Sequence, residues 1–145
     1  MDHLITRTLD LAREHETHWP EVSPSPLIAG TIDDCLARGK DIGQGGARYN
    51  SVGCVGAALA NACDSLLALK QAVYDEGRYS MDEIVNALDD DFEGQEAIRL
   101  YLLRRVPKWG NGNPQADQMA KRVADYYCDK IHTFRNGRGG SCQAA

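Results

Sequence analysis

Residues 43–54 read Gly-Gln-Gly-Gly-Ala-Arg-Tyr-Asn-Ser-Val-Gly-Cys and hold the densest cluster of chemically suggestive side chains in the chain. Four glycines stand there among Arg48, Tyr49, Asn50 and Cys54. Glycine admits backbone angles closed to other residues and lets a ligand or a second strand come close. The pattern suits a tight turn at an active site. It is not a phosphate loop, because GxxxxGK[ST] is absent and Asp41 stands where the hydroxyl belongs. Nor is it a GxGxxG dinucleotide turn, since no strand is predicted before it.

Cys54 is predicted at the start of a helix, where the helix dipole lowers a thiol pKa. No histidine is adjacent to act as its base, so a small packing residue is the plainer role. His15 and His18 are three apart and would share a helix face, but no HExxH pattern and no suitably spaced carboxylate accompanies them. They read as surface histidines. Asp89, Asp90 and Asp91 form an acidic run without the alternating ligand spacing of a calcium loop, so they read as a solvated loop. Trp109 and Tyr49 are of a kind that stacks on ligands and, more often, anchors a core.

The elements that must position these residues are mainly helices. Leu4, Ile5, Thr8, Leu11 and Ala12 recur at helical spacing and predict a helix over residues 4–14. Prolines 20, 24 and 26 predict an extended connector over 15–26. Thr31 is expected to cap a short helix that ends before Gly39. A long helix is expected over 52–75, with Val55, Leu59, Ala62, Leu66, Leu69 and Val73 as its apolar stripe. Ser80 and Glu83 form a capping box for a helix to about Leu88. Further helices are expected over 95–105, stopping at Pro107, and over 115–134, after a turn-rich loop at 108–114. The tail, 135–145, is polar and glycine-rich, and no strand is convincing, although 26–29 has extended character. Physics alone gives a mainly α domain of five or six helices.

Bulk properties agree with a single domain: 145 residues, 43% hydrophobic and 26% charged. A net charge of −5 without a basic stripe argues against nucleic acid as a partner. No apolar run or leader-like N-terminus points to a membrane, so a cytoplasmic protein is expected. Five cysteines without CxxC spacing argue against a disulfide framework or a zinc site.

Five landmarks, in order, carry a family resemblance. They are Asp41-Ile-Gly-Gln-Gly-Gly-Ala-Arg-Tyr-Asn50, Ala60-Asn-Ala-Cys-Asp-Ser-Leu66, Asp91-Phe-Glu-Gly94, Val106-Pro-Lys-Trp-Gly-Asn111 and Asn136-Gly-Arg-Gly-Gly140. Together they resemble a stretch of the pyruvate formate-lyase-like glycyl radical enzymes, nearest the branch of glycerol and diol dehydratases and choline-type lyases. The resemblance runs over 24–140, leaving 1–23 as an N-terminal helix and Pro-rich connector and 24–145 as a partial pyruvate formate-lyase-like domain.

The resemblance implies a helical segment of a ten-stranded α/β barrel of several hundred residues. It implies acyltransferase (formate acetyltransferase-like) or dehydratase/lyase chemistry in anaerobic metabolism. A glycyl radical is installed in that family by an S-adenosylmethionine-dependent iron–sulfur activase, and a thiyl cysteine attacks substrate. Neither residue is expected in this chain. Gly53-Cys54-Val55-Gly56 resembles the cysteine motif, but Gly56 and Ala57 stand in place of its Glu and Pro. The radical-glycine motif is absent, so no cofactor is assigned to the chain itself.

By position, the turn would face the barrel interior. Gly45, Gly46, Asn50, Ser51 and Cys54 are the candidates for shaping a substrate pocket, with Arg48 and Tyr49 locking the turn. Three readings stay open: a piece of a glycyl radical lyase or acyltransferase, inactive alone; a free-standing helical interaction module; and one part of a split enzyme. The partners would be the rest of the barrel or a partner chain, and the activase. On the first reading an exposed apolar patch is expected on helices 52–75 and 115–134.

Overall fold

Helices carry most of the chain in a computed structural model that describes residues 1–145. In order they are α1 (Asp2–Val22), α2 (Pro26–Ala29), α3 (Cys35–Arg38), a 3-10 turn (Ile42–Gln44), β1 (Ser51–Cys54) and α4 (Leu59–Leu69). A π-helical turn (Lys70–Asp75), α5 (Met81–Asp89), α6 (Glu96–Arg104), α7 (Pro114–His132) and β2 (Ser141–Ala144) follow. The chain divides into two compact units, Met1–Gly56 with Tyr126–Ala145, and Ala57–Asp125.

The mainly helical class is as the sequence implies, but two strands are present where none was expected. Ser51–Cys54 is not the first turn of a long helix. It is β1, paired in parallel with β2, Ser51 opposite Ser141 and Cys54 opposite Ala144. Burial along β1 alternates with the period of a strand. The helix predicted from residue 52 starts at Leu59, after Ala58 in a left-handed conformation at φ 61°. The tail is likewise β2 and not a loose polar end, with Cys142 buried. Cys54 therefore closes a strand and feels no helix dipole.

Near the N-terminus the connector expected over 15–26 is also corrected. α1 continues through Pro20 to Val22, and the Ser23 N–H closes it on the Trp19 carbonyl at 2.9 Å. Proline removes one helical donor and crowds the preceding turn. Here the end of α1 packs on the 3-10 turn, where a Cβ on Gly43 would lie 3.5 Å from Trp19 and 3.6 Å from Pro20. That contact favours the continuation of α1 through Pro20. Residues 26–29 are a helical turn, with Pro26 at its first position, as proline's fixed φ allows. Thr31 does not cap α3; Asp34 holds the N-cap position without a side-chain cap bond, and Gly39 ends α3 as expected.

In the unit 57–125, local signals and structure agree closely. Ser80 and Glu83 make the reciprocal cap of α5: the Ser80 N–H donates to Glu83 Oε2 at 2.7 Å, and the Glu83 N–H donates to Ser80 Oγ at 3.2 Å. Asn113 Oδ1 accepts the N–H groups of Gln115 and Ala116 and so starts α7. The core gathers Leu67, Ala68, Ala72, Tyr101, Val106 and Ala116. Tyr79 stands edge-on to Tyr101, with ring centroids 5.7 Å apart.

Apolar exposure is present on the predicted stretches, at Leu66, Tyr74 and Tyr126. It is larger on residues 22–36, where Val22, Leu27 and Leu36 are each more than three-quarters exposed. No helix is long and apolar enough to cross a membrane.

Candidate functional site

The glycine-rich turn is held from inside. Asp41 caps the 3-10 turn: its Oδ1 accepts the Gly43 N–H at 2.7 Å, and its Oδ2 accepts the Ser25 N–H at 2.8 Å. Gln44 Oε1 accepts the Asp41 N–H at 3.1 Å, completing a capping box. Gly45 sits at φ +77°, open to glycine with little strain. A Cβ on Gly46 would fall 2.1 Å from the Lys40 carbonyl oxygen, so only glycine fits. The N–H groups of Gly45 and Gly46 donate to the carbonyls of Ile42 and Asp41 at 3.1 and 3.0 Å. Both donors are used within the turn.

Arg48 locks the turn, as expected. Its guanidinium donates to both carboxylate oxygens of Asp34, at 2.9 and 3.3 Å, and holds the Asp34 carboxyl below its ordinary range. Tyr49 does not share that task, for its side chain is 87% exposed.

Asn50 joins the turn to the loop before β2. Its Nδ2 donates to the Arg138 carbonyl at 2.8 Å. The Asn136 carboxamide, whose residue is 4% exposed, donates back to Asn50 Oδ1 at 3.3 Å. Asn136 Oδ1 accepts the N–H groups of Arg138 and Gly140, at 3.0 and 2.7 Å. Glu16, on α1, accepts the Gly137 N–H at 2.7 Å and lies 3.6 Å from the Arg138 guanidinium. These bonds tie the turn, the loop before β2 and α1 together, while the buried Arg138 Nε is left without a hydrogen-bond partner.

Behind the strand pair is a cavity of about 440 Å³. Leu4 and Ile5 of α1, Ile131 of α7, Val52 and Cys54 of β1, and Cys142 of β2 are among its lining. The Tyr127 hydroxyl donates to the Cys54 carbonyl at 3.0 Å, and burial pushes that phenol up. Gly56 lies against the same ring, where a Cβ would be 3.0 Å from Tyr127.

Of the five residues singled out from the sequence, Cys54 presents its side chain to this cavity, half-buried. Ser51 is exposed at the head of β1, Asn50 is engaged in the clasp, and Gly45 and Gly46 shape the turn. Sequence reasoning missed Glu16, Tyr127 and Cys142 as members of this region. Their signal is tertiary and leaves no local pattern. Asn136 opens the last landmark of the sequence, yet only its buried position reveals its work. His15 and His18 are both exposed on α1.

A family model described as pyruvate formate lyase-like matches residues 1–145. The trans-4-hydroxy-L-proline dehydratase of Clostridioides difficile is 38% identical over 108 residues, covering 74% of this chain and 14% of that protein. The (2S)-3-sulfopropanediol dehydratase of Klebsiella oxytoca is 37% identical over 123 residues, covering 83% of this chain and 15% of that protein. A solved structure of a glycyl radical enzyme from Archaeoglobus fulgidus superposes with a TM-score of 0.90 at 36% identity, over 99% of this chain and 18% of that one. The chain thus spans roughly a sixth of the length of these relatives.

Proposed function

This chain belongs to the pyruvate formate lyase-like family of glycyl radical enzymes, and on that premise we propose that it works as the region of a dehydratase-type lyase between the thiyl cysteine loop and the glycyl radical loop. In that role it frames the substrate pocket and supplies neither radical residue. Both relatives described above are named as dehydratases, which favours elimination of water over acyl transfer. The domain then consists of residues 24–145, with 1–23 as a helix bracing it. It acts in the cytoplasm, with the rest of the barrel and a radical activase as partners. The glycines and Asn50 fix the backbone that borders the pocket, and Cys54 marks its inner side.

The observation that supports this reading is the lone parallel pair β1–β2. Parallel strands occur almost only in sheets of several strands covered on both faces. Two strands of four residues are far short of an independently stable sheet. Flanking barrel strands supply what this pair lacks.

Complementation tests the proposal. The chain is co-expressed without oxygen with the remaining segments of a hydroxyproline or sulfopropanediol dehydratase and its activase. Restored dehydration, with no electron paramagnetic resonance doublet from the chain alone, is the expected outcome. A glycyl radical doublet from the chain alone overturns it, as does failure of the assembled segments to dehydrate either substrate.

A further inference from the structure

Two of the five cysteines meet at the cavity of the first unit. Cys54 closes β1, and Cys142 stands second in β2 opposite Val52. Residues two apart on a strand share a face, so Cys54 and Cys142 are diagonal neighbours on the cavity side of the sheet. Both are free thiols, and burial, then the nearby Cys54, push the Cys142 thiol up. Cys35, Cys63 and Cys128 do not line this cavity. The mutual placement has no part in the proposed function above.

We propose that Cys54 and Cys142 are a reversible dithiol pair that exchanges with small disulfides of the glutathione class, Cys54 reacting first. Access sets the order. Cys54 is half-buried on the cavity wall, whereas Cys142 is 4% exposed and is reached through its neighbour. The Cys54 thiolate attacks one sulfur of the small disulfide. That S–S bond breaks, a mixed disulfide forms on Cys54, and the other sulfur leaves as a thiolate that takes up a proton. The Cys142 thiolate then attacks Cys54 Sγ, breaks the mixed disulfide and expels the second small thiol. In sum, two protein thiols are oxidised to one disulfide and the small disulfide is reduced to two thiols. The two protons pass from the cysteines to the departing sulfurs.

Around Cys142, Arg135 favours the thiolate and Glu16 opposes it. The Cys54 and Cys142 thiols stand within hydrogen-bond reach of each other, the proximity that the second exchange step needs.

The experiment treats the anaerobically purified 145-residue chain with glutathione disulfide, alkylates the remaining thiols and maps the peptides by mass spectrometry. A Cys54–Cys142 cross-linked peptide is expected, with the other three of the five cysteines alkylated and full reversal by excess glutathione. Cys142→Ser is expected to stop at a glutathione adduct on Cys54, and Cys54→Ser to leave Cys142 unmodified. Circular dichroism checks that both variants fold, and the wild-type map decides if they do not. A lasting glutathione adduct on wild-type Cys54, first reaction at Cys35, Cys63 or Cys128, or five unreacted thiols overturns the proposal.

Discussion

The Asn50 carboxamide donates to the Arg138 carbonyl at 2.8 Å, joining positions 88 residues apart. This bond and its return from Asn136 bring the glycine-rich turn against the loop that leads into β2. The register of the parallel pair begins at the next residue, Ser51 opposite Ser141. The clasp therefore sets where the two strands start.

Removing its centre exposes its weight. Asn136→Ala takes the acceptor from the half-buried N–H groups of Arg138 and Gly140. Two unsatisfied donors cost about 2–4 kcal/mol together. Urea denaturation of the variant is expected to show a loss of that size, with the slope unchanged.

Gly140 faces a harder limit. A Cβ there would lie 1.5 Å from the Asn50 carbonyl oxygen, closer than any contact allows. Gly140→Ala forces the two segments apart and is expected to cost upwards of about 3 kcal/mol, at or beyond the top of the overpacking range. Gly139 has φ +82° and open space around it, so Gly139→Ala costs only the left-handed backbone term, about 1–2 kcal/mol. Thermal melts of the two variants are expected to differ clearly.

The cap of α5 carries a pH dependence. The Ser80 backbone N–H and hydroxyl hold the Glu83 carboxyl below its ordinary value. A carboxyl whose folded pKa is lowered stabilises the fold fully above its unfolded value of about 4.3, and that contribution is lost as pH falls through the folded value. Amide exchange over α5 is expected to quicken as the solution is acidified through that window. Glu83→Gln is expected to remove this dependence.

Gly56 and Tyr127 form a pair suited to a double-mutant cycle. A Cβ on Gly56 meets the Tyr127 ring at 3.0 Å, which requires the ring to move. Gly56→Ala is expected to destabilise the wild type by about 1 kcal/mol and to cost less in a Tyr127→Ala background. Equal cost in both backgrounds would show that the ring is not what crowds Gly56.

Features set by neighbours in sequence were legible. The Ser80–Glu83 box, the stop before Pro107 and the end of α3 at Gly39 depend on residues a few positions apart. The ordered landmarks made the family readable, and the family match covers residues 1–145. The strands were not legible, because Ser51–Cys54 and Ser141–Ala144 are too short to show a period and each needs the other. Small residues around Cys54 read as helix for want of that partner. The extension of α1 through Pro20 was hidden for a similar reason, since the 3-10 turn that receives it lies more than twenty residues on. Within the candidate site, Arg48 was readable as a lock; the occupation of the Asn50 amide by Arg138 was not.

The parallel pair also governs the order in which these segments can close on one another. β1 is made before α4 to α7, and its partner β2 only after them. At roughly 5–20 residues per second, a ribosome leaves β1 waiting several seconds for the strand that covers its edge. Helices α4 and α6 share a core that lies within residues 57–125 and are free to form meanwhile, whereas sheet closure carries the entropy of a long loop. An interval of exposed strand edge on the nascent chain, which a chaperone is suited to cover, follows from the topology alone.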